Sequence, residues 1–268
     1  MADYDKPLIH VIDGNGNKTP LFLSDLGSTR DITAYSVVFE RSAGTFQNTT
    51  EYHDCCEFLT TGTSFTPVTV NDILQVVSSS ANDAALGTGT RTVGITYLDE
   101  SGILSQEIVT LNGTTPVSVN IQASAIISMY ALSGGSSPVS AGTINLRNTN
   151  TPSIIYEQIS IGGNQSQSGR FTCPAGYFAR LKCCTISVQG AAIEMKIRTT
   201  RNQFDGSFSG GRYLFKAGAK LAAGSSIDIN LNNIRLDAGQ TVKISGIADG
   251  AAATTRIHGS LQLDLIKI

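Results

Sequence analysis

Apolar residues recur at every second position through most of this chain, in runs separated by clusters of turn residues. In IEMKIR, residues 193–198, apolar side chains alternate with charged ones, and residues 257–265 alternate in a similar way. A period of two is typical of strands with one buried face, and no segment sustains a helical period over three turns. The pattern therefore predicts an all-β protein built from antiparallel sheets.

Turn residues divide the C-terminal half into about eight predicted strands, which suits a jelly roll, with a sandwich of seven or nine strands as the alternative. These strands cover 153–161, 168–172, 178–188, 191–199, 212–216, 226–236, 240–247 and 255–267. The N-terminal half is less regular, with predicted strands near 35–40, 73–78, 91–98, 103–111, 117–121, 124–131 and 142–147. At 268 residues, the chain is long enough for two domains that each bury a core.

We therefore expect two tandem antiparallel β-sandwich or jelly-roll domains, over residues 31–150 and 151–268, preceded by an N-terminal arm over residues 1–30. In the arm, LIHVI and KTPLFL flank the turn sequence DGNGN, which predicts a hairpin. A lone hairpin is marginal in water, so we expect the arm to dock on a neighbouring molecule. The turn-rich segment RNTNTP, 147–152, is the predicted domain boundary, and SGGSSPVSAG, 133–142, is a candidate hairpin turn.

Two strands show a change of phase in their apolar positions. In IDINLNNIRL, 227–236, the change falls near Asn232 and Asn233, which predicts a bulge or a corner. In LKCCTISV, 181–188, it falls between Cys183 and Cys184, which predicts a bulge or one thiol on each face of the sheet.

The charges divide unevenly between the two halves. Residues 1–150 carry 6 Lys and Arg against 14 Asp and Glu, whereas residues 151–268 carry 13 against 7. Such complementary halves favour contacts between identical subunits, or with a partner protein, in a homo-oligomer. A nucleic-acid partner is disfavoured because aromatic residues do not interleave with closely spaced basic ones.

A basic segment over residues 170–220 contributes most of the positive charge of the second half. Its members are Arg170, Arg180, Lys182, Lys196, Arg198, Arg201, Arg212, Lys216 and Lys220. Such a segment suits an acidic protein surface, lipopolysaccharide phosphates or packaged nucleic acid, and the pattern does not choose among them.

The N-terminus, MADYDKPLIH, lacks the basic start and apolar core of a signal peptide, and no apolar run approaches the ~18 residues of a membrane span. This predicts synthesis in the cytoplasm and no membrane segment. Five cysteines form an odd count with two vicinal pairs, Cys55-Cys56 and Cys183-Cys184, which favours reduced and mostly buried thiols.

Glycine-rich stretches raise the possibility of a bound cofactor. In NDAALGTGTRTVGITYLDESG, 82–102, the third position of a dinucleotide fingerprint is Thr92, and an alternating strand follows where a helix is required. DGNGN resembles the start of a calcium loop, but its sixth position is Lys18 and its twelfth is Ser24. Both stretches are interpreted as turns, and no cofactor-binding residue is predicted.

The segment EYHDCCEF, 51–58, is the densest cluster of potential metal ligands, and it includes Glu51, His53, Asp54, Cys55, Cys56 and Glu57. Zinc sites space their cysteines differently and need a distant second pair, so a strand with buried thiols is the preferred interpretation. His10 and His258 have no nucleophile beside them, and Glu194 and Asp205 are the weak candidates for a carbohydrate-active site. No catalytic or metal-ligating residue is predicted.

Residues 74–119, LQVVSSSANDAALGTGTRTVGITYLDESGILSQEIVTLNGTTPVSV, resemble a segment of virion structural proteins from tailed bacteriophages and some large algal viruses. The shared features are VVSSSAND, the GTGTRTV turn, a hairpin closed at Asp-x-x-Gly and a TLNGT strand end. GTINLR and FTCPAGYFARLKCCTISV resemble the second sandwich of the same proteins. The resemblance implies a virion component without catalytic residues, whereas the N-terminal arm does not match the family.

The expected function is therefore that of a non-enzymatic bacteriophage virion protein, such as a capsid-surface decoration, head fibre or spike. Its expected partners are other virion proteins, meaning the major capsid protein or portal, neck or tail proteins, and further copies of itself, with a trimer as one option. The alternative is a tail, neck or fibre component that binds a receptor or glycan through RNQFDGSFSGG, 201–211, where Phe204, Phe208 and the nearby Tyr213 form a candidate aromatic patch. A carbohydrate-active enzyme ranks last.

Overall fold

A computed structural model describes residues 10–12, 18–20, 32–41, 52–59, 64–200, 213–248 and 255–268, and every regular element in these ranges is a β-strand. The strands are β1 (His10–Ile12), β2 (Lys18–Pro20), β3 (Ile32–Arg41), β4 (His53–Asp54), β5 (Leu74–Ser78), β6 (Thr90–Asp99), β7 (Leu104–Thr110), β8 (Val117–Val119), β9 (Ala123–Gly134), β10 (Ile144–Asn148), β11 (Ile155–Ile159), β12 (Arg170–Thr172), β13 (Tyr177–Gln189), β14 (Ile193–Thr200), β15 (Tyr213–Leu221), β16 (Ser226–Leu236), β17 (Thr241–Ala248) and β18 (Arg256–Lys267). All pairings are antiparallel, as predicted.

Two sheets built mainly from the C-terminal strands have the arrangement of a jelly roll. One sheet has the order β16-β13-β18-β3 and the other has the order β12-β17-β14-β15, with β4 also paired to β17. From β13 onward the chain crosses between the sheets at every connection except the β14–β15 hairpin, a Greek-key arrangement. We call these two sheets the jelly roll.

The alternating residues of both sheets meet in one core. Ile193, Met195 and Ile197 are fully buried from one sheet, and Ile257, Leu261 and Leu263 lie opposite them on the other sheet, in the same cluster. Burial of apolar surface of this extent is the main stabilising term of such a sandwich. The period of two therefore marks the core positions correctly here.

The middle of the chain forms a second, smaller sandwich, which we call the insert. Its sheets have the orders β11-β10-β5-β8 and β7-β6-β9. Their inner faces share a separate core that includes Leu74, Val76, Val93, Ile95, Met129, Ile144, Leu146 and Tyr156. The described residues therefore form two hydrophobic cores.

The path of the chain differs from the tandem order. Strand β3 pairs along its full length with β18, from Ile32 beside Ile266 to Arg41 beside Ile257, so the jelly roll begins before the insert. The first predicted strand of the C-terminal half instead becomes β11, which pairs with β10 in the insert. Strand β3 from the predicted first domain, 31–150, thus pairs in the jelly roll, and strand β11 from the predicted second domain, 151–268, pairs in the insert.

Two predicted connections also differ. RNTNTP, 147–152, is not a boundary between sheets, because it overlaps the end of β10 and turns the chain into its antiparallel partner β11. SGGSSPVSAG, 133–142, is not a hairpin turn, because it leads from β9 in one sheet of the insert to β10 in the other. Both segments contain good turn residues, but turn chemistry does not specify which sheet the next strand joins.

Both predicted irregularities are present on the paired strands β13 and β16. Asn232 and Asn233 adopt positive φ angles of 48° and 56°, and the register shifts between Leu181 and Cys183 opposite them. The extra residues of β16 are accommodated there as a bulge. Cys184 points into the core, whereas Cys183 is only partly buried.

The N-terminal arm contains the predicted hairpin, in which His10, Val11 and Ile12 of β1 pair with Pro20, Thr19 and Lys18 of β2. These strands form a two-stranded sheet of their own. Docking of the arm on a neighbour stays a prediction.

Candidate functional site

A buried carboxylate, Asp54, lies on the short strand β4 at the edge of the jelly roll. Lys243 Nζ lies 3.0 Å from Asp54 Oδ2, and Ser245 Oγ donates to Oδ1 at 2.8 Å, both from β17. Arg198 from β14 adds a third partner at 3.7 Å. A buried carboxylate needs such pairing because the cost of removing it from water is several kcal/mol.

The same short strand is fixed from its other side by Arg41, at the end of β3. Its guanidinium donates to the Asp54 carbonyl oxygen at 2.7 Å and lies 3.1 Å from His53 Nδ1. Arg41 is fully buried, and this burial lowers its pKa. His53 and Asp54 of the EYHDCCEF cluster are thus held at the edge of the jelly roll by basic side chains of β3, β14 and β17, whereas Glu51 lies outside the described residues.

A second buried ion pair joins the insert to the jelly roll. Glu157 on β11 accepts hydrogen bonds at Oε2 from Arg170 on β12 at 3.1 Å and from Ser168 at 3.0 Å. Arg170 also donates to the Tyr156 carbonyl oxygen, and its guanidinium lies 4.5 Å from the centre of the Phe65 ring. Because the two residues lie on strands of different sandwiches, this pair fixes one sandwich against the other.

These clusters have the chemistry of structural ion pairs. Burial raises the pKa of the Cys56, Cys173 and Cys184 thiols to about 12, and raises that of Cys55 as well, so they stay protonated and poorly nucleophilic. All five cysteines are free. In the described part of the chain, no group of three His, Cys, Asp or Glu side chains is arranged to hold a metal ion.

Asp83 is another buried carboxylate, and it lies in the segment 74–119. Its Oδ1 accepts from the backbone N–H groups of Thr90 at 2.8 Å and Ala141 at 2.9 Å. Its Oδ2 accepts from the Gly142 N–H at 2.9 Å and from the Ser78 hydroxyl at 2.6 Å. One side chain therefore connects two loops of the insert, β5–β6 and β9–β10, and sequence analysis did not identify it.

The glycines of the GTGTRTV turn are explained by this arrangement. A Cβ at Gly89 would lie 2.2 Å from Asp83 Oδ1, and a Cβ at Gly87 would lie 2.0 Å from the Asn82 carbonyl oxygen. The turn leads into β6, which is a strand. These close approaches, rather than contact with a phosphate, account for both glycines. The turn at Asp99 and Gly102 is also present, with Gly102 at φ 76°.

Four described residues of the basic segment 170–220 have carboxylate partners. Arg170 and Arg198 pair with buried carboxylates, Lys182 lies 3.5 Å from Asp264, and Lys196 lies 3.5 Å from Glu194. Arg201 and Arg212 lie outside the described residues, as do Phe204, Asp205 and Phe208 of the candidate aromatic patch. His258 is exposed on β18.

Two adjacent edges of the jelly roll carry exposed apolar side chains. Strand β15 is the last strand of one sheet and β16 is the last strand of the other, and the two strands contact each other. Phe215 is 60 % exposed, Leu214 41 % and Ile227 39 %. We call these three residues the apolar edge. Long exposed edge strands with apolar side chains are templates for contact with another chain.

No described helix has the length and apolar character needed to span a membrane.

Comparisons with known proteins gave structural neighbours only. No protein-family model matches the chain, and no curated protein matches it. A structure of the Gt strain of infectious bursal disease virus is 13% identical, with 90% of this chain and 73% of that chain covered, at a TM-score of 0.24. VP17, a capsid protein of bacteriophage P23-77, is 8% identical, with 89% and 97% covered, at a TM-score of 0.19. TM-scores this low do not establish a common fold, so neither neighbour supports an argument about this chain.

Proposed function

We propose that this protein is a structural component of a bacteriophage virion. The resemblance of residues 74–119 to phage virion proteins carries the proposal, and the structure supports it by giving that segment an architectural role around Asp83. The ion pairs and high-pKa thiols described above are consistent with a protein that supplies rigid mass rather than chemistry.

Within the virion, we place the protein on the capsid surface as a decoration, head fibre or spike. The jelly roll is the larger unit and has the apolar edge suited to contact with further copies or with the major capsid protein. The Glu157–Arg170 pair joins the insert to the jelly roll. A tail, neck or fibre component that binds a receptor is the alternative location.

Immunogold labelling tests the location. An antiserum against the recombinant protein is applied to purified particles of the phage that encodes the chain, with pre-immune serum as the control. Label on the head is the expected result, and label confined to the tail would select the alternative. If the chain were missing from purified particles by mass spectrometry, the virion role would be wrong.

The apolar edge predicts self-association that depends on Phe215. We expect the wild-type protein to form a homo-oligomer, such as a trimer, and Phe215→Lys to weaken its association at least about tenfold, because a charge would be buried in the contact. Sedimentation velocity over a dilution series measures this. Leu86→Lys is the matched control, since Leu86 is 94 % exposed in the insert, away from the apolar edge. Equal association of the two variants would contradict the assignment of this edge.

A further inference from the structure

A groove lies between the insert and the outer face of the jelly roll. It consists of two hollows of about 410 and about 320 Å³, which share the lining residues Val38 and Gln165 and therefore adjoin. The first is bounded by β3 and β9, and the second by β3, β13 and β18. Their sizes match those of small-molecule sites, which often form where two domains meet.

The described lining of this groove combines polar and apolar groups and carries little charge. Hydroxyl side chains come from several strands, including Ser36, Ser128, Thr185 and Ser260. Asn164, Gln165 and Gln167 add amide groups. None of the described residues that line the two hollows is Asp, Glu, Lys or Arg, and His258 is the one histidine among them. Hydroxyls and amides both donate and accept hydrogen bonds, as sugar hydroxyls do.

Two tyrosine rings provide apolar surfaces in the first hollow. The Tyr35 ring packs against Phe171 with centroids 5.2 Å apart. The Tyr130 ring lies over Gly94, where a Cβ would come within 2.8 Å of it, and its hydroxyl accepts a hydrogen bond from Gln106. Gly94 is the third glycine of the turn-and-strand segment, and its missing side chain makes room for this ring. Both rings are therefore held in place beside the polar groups.

The loop that carries the amides is fixed by backbone pairing. The Ala131 N–H donates to the Asn164 carbonyl oxygen at 2.7 Å, and the Ser166 N–H donates to that of Met129 at 2.7 Å. The Met129 N–H in turn donates to Ser166 Oγ at 2.9 Å. This wall of the groove is preorganised, which lowers the entropic cost of binding.

We propose that this groove binds a neutral oligosaccharide. An anionic ligand such as a nucleic acid or a phosphorylated glycan would require basic side chains, and no described residue that lines the hollows is Lys or Arg. An amphipathic peptide helix would require an apolar groove along its whole length, whereas the second hollow exposes as much polar as apolar surface. Uncharged hydrogen-bonding groups beside fixed tyrosine rings instead match the hydroxyls and the apolar ring faces of a neutral sugar. The proposal does not depend on the virion role.

Binding to maltoheptaose, cellohexaose and chitohexaose tests the proposal, with sialylated and sulfated oligosaccharides as comparators. The full chain is titrated with each sugar by calorimetry and screened on an array of neutral glycans. Two variants probe the groove: Gln165→Ala removes an exposed amide, and Tyr130→Ala removes a ring. Gln189→Ala, at the exposed end of β13, and Tyr52→Phe, on the far sheet of the jelly roll, are the matched controls.

We expect at least one neutral oligosaccharide to bind, Gln165→Ala and Tyr130→Ala each to weaken binding at least about tenfold, and both controls to bind as wild type. Since Gln165 is exposed, its variant should fold normally even if Tyr130→Ala does not. The proposal is overturned if no neutral sugar binds, if only anionic glycans bind, or if Gln165→Ala binds as tightly as wild type. None of these results bears on whether the chain is found in virions.

Discussion

Asp83 shows how a single side chain can organise a whole loop region. Its carboxylate accepts hydrogen bonds from three backbone N–H groups and one hydroxyl, which belong to segments separated by up to 64 positions between Ser78 and Gly142. An unpaired buried N–H costs about 1–3 kcal/mol, so the loops depend on this acceptor. Among neighbouring Asn and Ser residues, Asp83 has no pattern that distinguishes it before folding.

Replacing Asp83 should therefore be strongly destabilising. We expect Asp83→Ala to lower the free energy of unfolding by about 3 kcal/mol or more, because at least two backbone N–H groups would be buried without an acceptor. Urea denaturation followed by circular dichroism measures the change. Asp99→Ala is the control, since the Asp99 carboxylate accepts two N–H groups in an exposed turn and its loss should cost about 1 kcal/mol. Equal effects would contradict the role of Asp83.

The thiols provide a second prediction at this scale. Burial keeps Cys55, Cys56, Cys173 and Cys184 protonated and inaccessible, whereas Cys183 is partly exposed on the outer face of its sheet. Titration of the native protein with a chromogenic disulfide at pH 8 should show one fast thiol, and the protein in denaturant should show five. In Cys183→Ser the fast phase should disappear. A fast phase of two or more thiols in the native protein would disprove this assignment.

Among the elements, β3 has the largest effect on the architecture. It completes a sheet by pairing with β18 over 10 residues, and it contributes Val37 and Phe39 to the core. Gly259 on β18 makes room for the Phe39 ring, since a Cβ there would lie 2.6 Å from it. Without β3, β18 would become an unprotected edge and the core would open on that side.

Two N-terminal deletions can distinguish the contribution of the arm to stability from that of β3. A protein lacking residues 1–31 should unfold cooperatively near the wild-type midpoint, whereas one lacking residues 1–41 should not fold, because the lost contacts exceed the ~5–15 kcal/mol that stabilise a typical domain. Phe39→Ala is a milder test and should cost about 3–5 kcal/mol. Thermal denaturation compares all three. A folded 1–41 deletion would show that β3 is not an integral strand of the jelly roll.

For the whole molecule, the Glu157–Arg170 pair makes the junction between the sandwiches sensitive to pH. Burial raises the pKa of Glu157 above its ordinary value of 4.5, and the nearby Arg170 only partly opposes this. Between 4.5 and that raised pKa, the folded protein binds more protons at this site than the unfolded chain does. The contribution of Glu157 to stability is therefore fully present below pH 4.5 and is lost as the pH rises through its folded pKa.

Replacing Glu157 should remove this dependence. We expect the difference in unfolding free energy between wild type and Glu157→Gln to favour wild type most at low pH and to shrink as the pH rises, measured by urea denaturation from pH 4 upward. Glu194→Gln is the contrasting control, because a hydrogen bond from Tyr52 lowers the pKa of Glu194, which gives the opposite sign. A difference for Glu157→Gln that grew with pH would contradict this account of the junction.

The pattern of residues predicted much of the local structure. Successive side chains along a strand point to opposite faces of the sheet. The apolar positions of β14 and β18 therefore identified the core, and the phase change at Asn232 and Asn233 identified the bulge. The turn sequence DGNGN also located the N-terminal hairpin. At the candidate sites, the residue types showed that His53 and Asp54 belong to a dense cluster of potential ligands, but they did not reveal the partners of these two residues.

Strand partners and charge partners could not be deduced in this way. Every strand here has the same period and similar turn residues, so nothing local states that β3 pairs with β18, which is more than 200 positions away, or that β11 pairs with β10 in the insert. The partners of Asp54 likewise come from β14 and β17, and those of Asp83 from distant loops. Alternation sets which face of a strand is buried, whereas the choice of neighbour depends on long-range packing that forms only when the two sheets close on one core.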